Sequence, residues 1–119
     1  MWKYSYVLFF AAAIFVDDAA ASIFCTAKSG VETRVYFHRG NTAGGIDEAT
    51  KFKIERPPAN GTARIVMTNL SSGTGKPIRI AEVFYKSKRG FVGSDSLSYQ
   101  RINRNGSVDN FTLSVNVVP

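Results

Sequence analysis

Residues 95–118 read DSLSYQRINRNGSVDNFTLSVNVV. After the Asn105-Gly106 pair, Phe111, Leu113, Val115 and Val117 interleave with Thr112, Ser114 and Asn116, so that one face is apolar and the other polar. That period of two is the mark of a half-buried antiparallel strand. Asparagine and glycine both tolerate positive φ, which a type I′ turn requires at its two central positions. The spacing therefore predicts a hairpin at Asn105-Gly106, joining a strand near 95–103 to a last strand near 108–118.

The same rhythm runs back through the chain. Val31, Thr33, Val35 and Phe37 alternate with Glu32, Arg34 and Tyr36, and Lys51-Phe52-Lys53-Ile54-Glu55 alternates strictly. Turn-forming residues separate the runs: Ser29-Gly30, Gly44-Gly45, Pro57-Pro58, Asn60-Gly61, the stretch 71–75, Arg89-Gly90 and Asn105-Gly106. Together they predict strands near 23–27, 31–38, 51–55, 61–68, 78–86, 95–103 and 108–118. Seven short strands favour two packed sheets over an open sheet, which would leave an apolar face uncovered. The longest stretch without strand character is 39–50, expected as a loop or a short helical turn near Asp47 to Thr50. The reading is of one all-β domain.

The N-terminus has a different character. Lys3 is followed by an apolar run from Val7 to Val16, closed by Asp17-Asp18 and the small residues Ala19-Ala20-Ala21-Ser22. This is the layout of a cleavable secretory leader, and the run is too short for the roughly 20 residues that span a bilayer. Residues 1–21 are thus expected to be a signal peptide and 22–119 the domain, placed in the periplasm or secreted. Removing the leader leaves 14 basic against 7 acidic side chains, a net charge of +7. Cys25 is the one cysteine, so no disulfide can form within the chain. It is expected to act as a small buried apolar side chain, and the bulky Phe24 before it argues against lipidation.

The second half of the chain resembles the bacterial Ig-like, cadherin-like domains that occur in tandem in large surface and adhesion proteins. The resemblance lies in Pro58-Ala59-Asn60-Gly61-Thr62, in Tyr85 with Gly90-Phe91-Val92-Gly93-Ser94-Asp95-Ser96-Leu97-Ser98-Tyr99, and in the valine-rich end from Phe111 to Val118. It covers about 65 residues, is most specific over Gly90 to Tyr99, and fades before Lys51. It implies an Ig-like β-sandwich of about seven antiparallel strands with Greek-key connections. The marking residues also have plain structural roles. Gly61, Gly90 and Gly93 suit turns, Phe91 is expected to bury its ring beneath one, and Asp95 can accept turn amides. Asp95 and Tyr99 have the spacing of a tyrosine corner, while Arg101 stands where disulfide-bonded Ig domains carry a cysteine. The tandem proteins use many copies as spacers, whereas the expectation here is one copy behind a leader.

Candidate chemistry is sparse. His38, the single histidine, is expected at an exposed strand end, and no zinc-ligand spacing accompanies it. Ser94, Ser96 or Ser98 could be paired with His38 and Asp47 on paper, but no nucleophile elbow supports a triad. Gly73-Thr74-Gly75-Lys76 fails as a phosphate loop, with Leu70 and Pro77 at the positions that need glycine and a hydroxyl. Asp47 and Glu48 are far in sequence from Asp95 and Asp109, so a calcium cage is not visible. The Asn-x-Ser/Thr triplets at Asn60, Asn69, Asn105 and Asn110 read as turn chemistry if the source is bacterial, as the resemblance implies. No cofactor is expected.

What remains is the basic character, in Lys76, Arg79, Lys86, Lys88, Arg89, Arg101 and Arg104. Excess positive charge speaks to anionic partners as well as to solubility. The expectation is an exported, non-enzymatic binding or structural module, adhesion-like or contacting a protein or an anionic envelope polymer through loops at one end. Nucleic acid is disfavoured by export. The competing reading is a small secreted enzyme or inhibitor with its site in the 39–50 loop, since long loops on rigid scaffolds often carry sites.

Overall fold

The computed structural model describes residues 21–40, 42–71, 73 and 75–119. Apart from Ala21, the expected leader lies outside the described residues. Seven strands follow in order: β1 (Ala21–Lys28), β2 (Thr33–His38), β3 (Lys51–Arg56), β4 (Gly61–Leu70), β5 (Ile78–Ser87), β6 (Gly93–Ile102) and β7 (Val108–Val118). The described residues contain no helix, and hence none long and apolar enough to cross a membrane. One sheet has the order β1-β7-β6-β3 and the other β2-β5-β4. The alternation of the sequence becomes a shared core, in which Val83 and Tyr85 of β5 meet Leu97 and Tyr99 of β6, Leu113, Val115 and Val117 of β7, and Ala27 of β1. Phe91 packs partly buried against it.

Three expectations are corrected. The first concerns strand direction: β1 runs parallel to β7, with Ile23 opposite Leu113, Cys25 opposite Val115 and Ala27 opposite Val117, while every other strand pair is antiparallel. Alternation tells which side chains face inward but not which way the strand runs. Turn chemistry fixes direction only between neighbours in sequence, and β1 and β7 are the two ends of the domain.

The second concerns the hairpin. The Gly106 N–H donates to Asn103 O (2.9 Å) and the Asn103 N–H to Ser107 O (2.8 Å), so the loop is Arg104-Asn105-Gly106, and only its last residue needs the left-handed region, at φ +89°. This is a three-residue loop closed by a glycine bulge, the next commonest hairpin after the two-residue type I′. Asn105 turns its side chain back on the loop, accepting from the Ser107 N–H at 2.9 Å.

The third is the tyrosine corner. Asp95 and Tyr99 both point into the core from β6 but stand about 13 Å apart along it, four residues at ~3.3 Å each. They find different partners. The Tyr99 hydroxyl meets His38 Nε2 at 2.6 Å. Asp95 accepts from the Tyr85 hydroxyl (2.7 Å) and from the amides of Ala59, Asn60 and Ser96 (2.9–3.0 Å). One buried carboxylate thus ties the 57–60 turn to both sheets.

The 39–50 stretch is a loop held at its centre. The Ile46 N–H donates to Arg79 O (2.8 Å) and the Arg79 N–H to Gly44 O (3.0 Å), so that Gly45 adds a parallel rung to β5 beyond the end of β2. Gly45 sits at φ +85°, where a Cβ would fall 2.2 Å from Arg79 O. Only glycine fits there. A turn closes the loop, with the Thr50 N–H donating to Asp47 O at 3.0 Å.

Candidate functional site: a charged groove at one end

The pinned loop and the β6–β7 hairpin stand side by side at one end of the two sheets. Between them lies an open groove of about 940 Å³, lined by Asp47, Arg101, Asn103, Arg104, Asn105 and Asp109 together with Thr42, Thr50 and Ser107. Asp47 is the hub on the loop side. Its Oδ1 accepts from the Ala49 N–H (2.7 Å), its Oδ2 faces Arg104 Nη1 at 3.3 Å, and its backbone oxygen accepts from Arg79 Nη1 at 2.8 Å. The Ala49 amide first, and Arg104 and Arg79 after it, hold the Asp47 carboxyl below its usual range.

On the hairpin side Arg101 and Asp109 are directly opposite across β6 and β7. The guanidinium reaches Asp109 Oδ2 at 2.8 Å and lies over the Phe111 ring, 5.2 Å from its centroid. Asn103 Nδ2 donates to the same Oδ2 at 2.8 Å. These two bonds, Asn103 first, hold Asp109 below its usual range. The groove is thus a set of oriented, ionised groups on two braced walls. Arg101 and Arg104 each contact one carboxylate and keep further N–H donors for a ligand.

The seven basic residues do not form one patch. Arg101 and Arg104 line the groove, Arg79 supports its loop side through Asp47 O, and Lys76 lies two residues before β5 at the same end of that strand. Lys86 is at the far end of β5, about 23 Å from Arg79 at ~3.3 Å per residue. Lys88 and Arg89 follow it in the turn before β6. Asn103 and Asp109 were absent from the expected set, although opposite charges facing across a hairpin are a recognisable cross-strand pair.

His38 departs from its expected exposure. It does end β2, but it is only 6 % exposed and sits among the rings of Tyr36, Phe52, Tyr99 and Phe111, at centroid distances of 4.6–5.5 Å. Its side chain faces the core, where Nε2 lies 2.6 Å from the Tyr99 hydroxyl. Burial, with the Arg101 charge second, pushes its pKa down to about 4. The imidazole is therefore neutral and structural at pH 7. Ser94, Ser96 and Ser98 alternate with the core-facing Asp95, Leu97 and Tyr99 on β6 and so face away from it. The paper triad is not assembled.

Cys25 is half-buried, with Sγ 3.6 Å from Ser114 O, and burial raises its pKa. Among the described residues no group of three or more His, Cys, Asp or Glu side chains could hold a metal ion. Comparison with known protein families, with characterised proteins and with solved structures finds no match to this chain.

Proposed function

We propose that the chain is an exported, Ig-like binding module whose end groove takes an anionic group of a protein or envelope polymer. The observation that carries this is the presence of Arg101 and Arg104 in the lining of one open groove, braced on its loop side by Arg79 through Asp47 O, in a chain of net positive charge. The Ig-like assignment is supported by strand order: β2-β5-β4 corresponds to B-E-D and β3-β6-β7 to C-F-G of Ig domains, with β1 moved beside the last strand. Export is supported by the leader pattern of residues 1–21.

The partner's anionic group would meet the outer N–H donors of Arg101 and Arg104, with the side-chain amide of Asn105 beside them. Dextran sulfate and lipopolysaccharide are suitable probes, titrated at ~0.05 M and ~0.5 M salt, between which the screening length falls severalfold. Binding at low salt that weakens about tenfold, ~1.4 kcal/mol, in Arg101→Ala/Arg104→Ala but not in Lys86→Ala/Lys88→Ala supports the groove. No binding at low salt removes the proposal.

A further inference from the structure

The outer face of the first sheet has a composition that the groove does not explain. Cross-strand register sets Phe24, Ser114 and Ser96 in one row and Thr26, Asn116 and Ser94 in the next. Their neighbours Cys25, Ala27, Val115, Asp95 and Leu97 point the other way, into the domain. Five of these six outward side chains carry a hydroxyl or an amide, and none is charged or aliphatic, in a chain where one residue in five is charged. The sixth, Phe24, is 81 % exposed, more than any other large apolar side chain among the described residues. The face is not flat. With the 59–60 turn as a rim, these residues line a shallow groove of about 620 Å³, to which Cys25, Asp95 and Val115 between them also contribute.

We infer that this groove binds an uncharged polysaccharide, with Phe24 as the platform for a sugar ring and the hydroxyls and amides as its hydrogen-bonding partners. Each feature selects against the alternatives. Protein interfaces are depleted in serine and enriched in large side chains and arginine, whereas this surface is mostly serine, threonine and asparagine. A membrane surface calls for an apolar face or a row of cations, and a single phenylalanine among hydroxyls is neither. The two rows themselves carry no charge, and the one cation that reaches them, Arg56, is already engaged with Ser96. A neutral glycan presents hydroxyls that both donate and accept, which serine, threonine and asparagine side chains match, the hydroxyl rotating to suit. Strands spaced ~4.8 Å apart, with outward residues repeating every ~6.6 Å along each, present these groups as a regular array. Arg56, reaching across from β3, donates to Ser96 Oγ at 3.0 Å and fixes one corner of it. The ring face of a sugar is apolar and suits the exposed phenyl group, whose burial returns what its exposure costs.

The purified protein is run through native gels cast with hydroxyethylcellulose, dextran or no polymer, and titrated with chitohexaose by amide NMR. The expected result is retardation in at least one polymer, or chitohexaose shifts confined to β1, β6, β7 and the 59–60 turn, little changed at ~0.5 M salt because the glycan carries no charge to screen. Phe24→Ala and Ser114→Lys should weaken binding tenfold or more at an unaltered thermal midpoint, while Arg104→Ala, in the end groove, leaves it intact. If either variant misfolds, the shift map on the parent protein decides. Absence of both retardation and shifts, shifts located at the end groove, or binding abolished by salt overturns the inference, while the dextran sulfate titration tests the anion site separately.

Discussion

Lowering the pH from about 7 to about 5 is predicted to cost the fold about 2 kcal/mol through His38 alone. The imidazole has a pKa of about 4 in the folded chain against an ordinary value near 6.5. Between those values the unfolded chain takes up a proton that the folded one does not, so stability rises with pH and falls as pH drops through the window. Fully below the folded value the loss approaches about 3 kcal/mol, a large share of the 5–15 kcal/mol that holds a domain together. The carboxylates of Asp47, Glu82 and Asp109, all held below their usual range, have the same sign. Their contribution, though, is present above ~4 and lost only below it, so the window from about 5 to 7 belongs to the histidine. Urea titrations followed by circular dichroism at several pH values measure the slope. His38→Phe keeps a ring in the slot between Tyr36, Phe52 and Phe111 and removes the titration. It should lower stability at pH 7 by about 1–3 kcal/mol, because the Tyr99 hydroxyl loses its partner, and flatten the slope between pH 5 and about 7. A parent protein with no slope in that window, or a His38→Phe variant with the parent's slope, refutes the reasoning.

Other perturbations test the remaining supports. Asp95→Ala strands the Tyr85 hydroxyl and the amides of Ala59 and Asn60, and should cost about 3 kcal/mol or more in urea unfolding, since bonds to a charged acceptor are each worth about 1.5–3. Gly45→Ala forces a Cβ onto Arg79 O at a left-handed φ; it should release the 40–50 loop, seen as faster amide exchange at Ile46 and Arg79, with a loss of at least about 1 kcal/mol. Cys25, with its thiol pushed up by burial, should alkylate with iodoacetamide more slowly than a free cysteine at mildly alkaline pH, and at the free rate in urea.

Much of the architecture was legible because half-buried strands advertise themselves. The run from Phe111 to Val117 and the five residues from Lys51 to Glu55 fall on β7 and β3, and all seven expected strands lie on observed ones. Pairing was harder to read. Nothing in the alternation of β1 distinguishes a parallel from an antiparallel neighbour, and Asn105-Gly106 marked the turn without revealing that Asn103 would close it. The polar core shows the same limit. Asp95 and Tyr99 were visible as special residues, but their partners, Tyr85 and His38, lie on the other sheet and are set by how the sheets stack. The end groove was half-visible: the 39–50 stretch and three of its arginines stood out. That Gly45 would pin the loop against β5 depends on a backbone approach that no side-chain pattern encodes.

The most direct test of the end groove is an amide NMR titration of the protein with dextran sulfate at ~0.05 M salt, where charges are little screened over the width of a groove. The account predicts shifts at Asp47, Arg101, Asn103, Arg104 and Asn105, lost in Arg101→Ala/Arg104→Ala. Shifts centred on Lys86, Lys88 and Arg89 at the opposite end, or none at all, would contradict it.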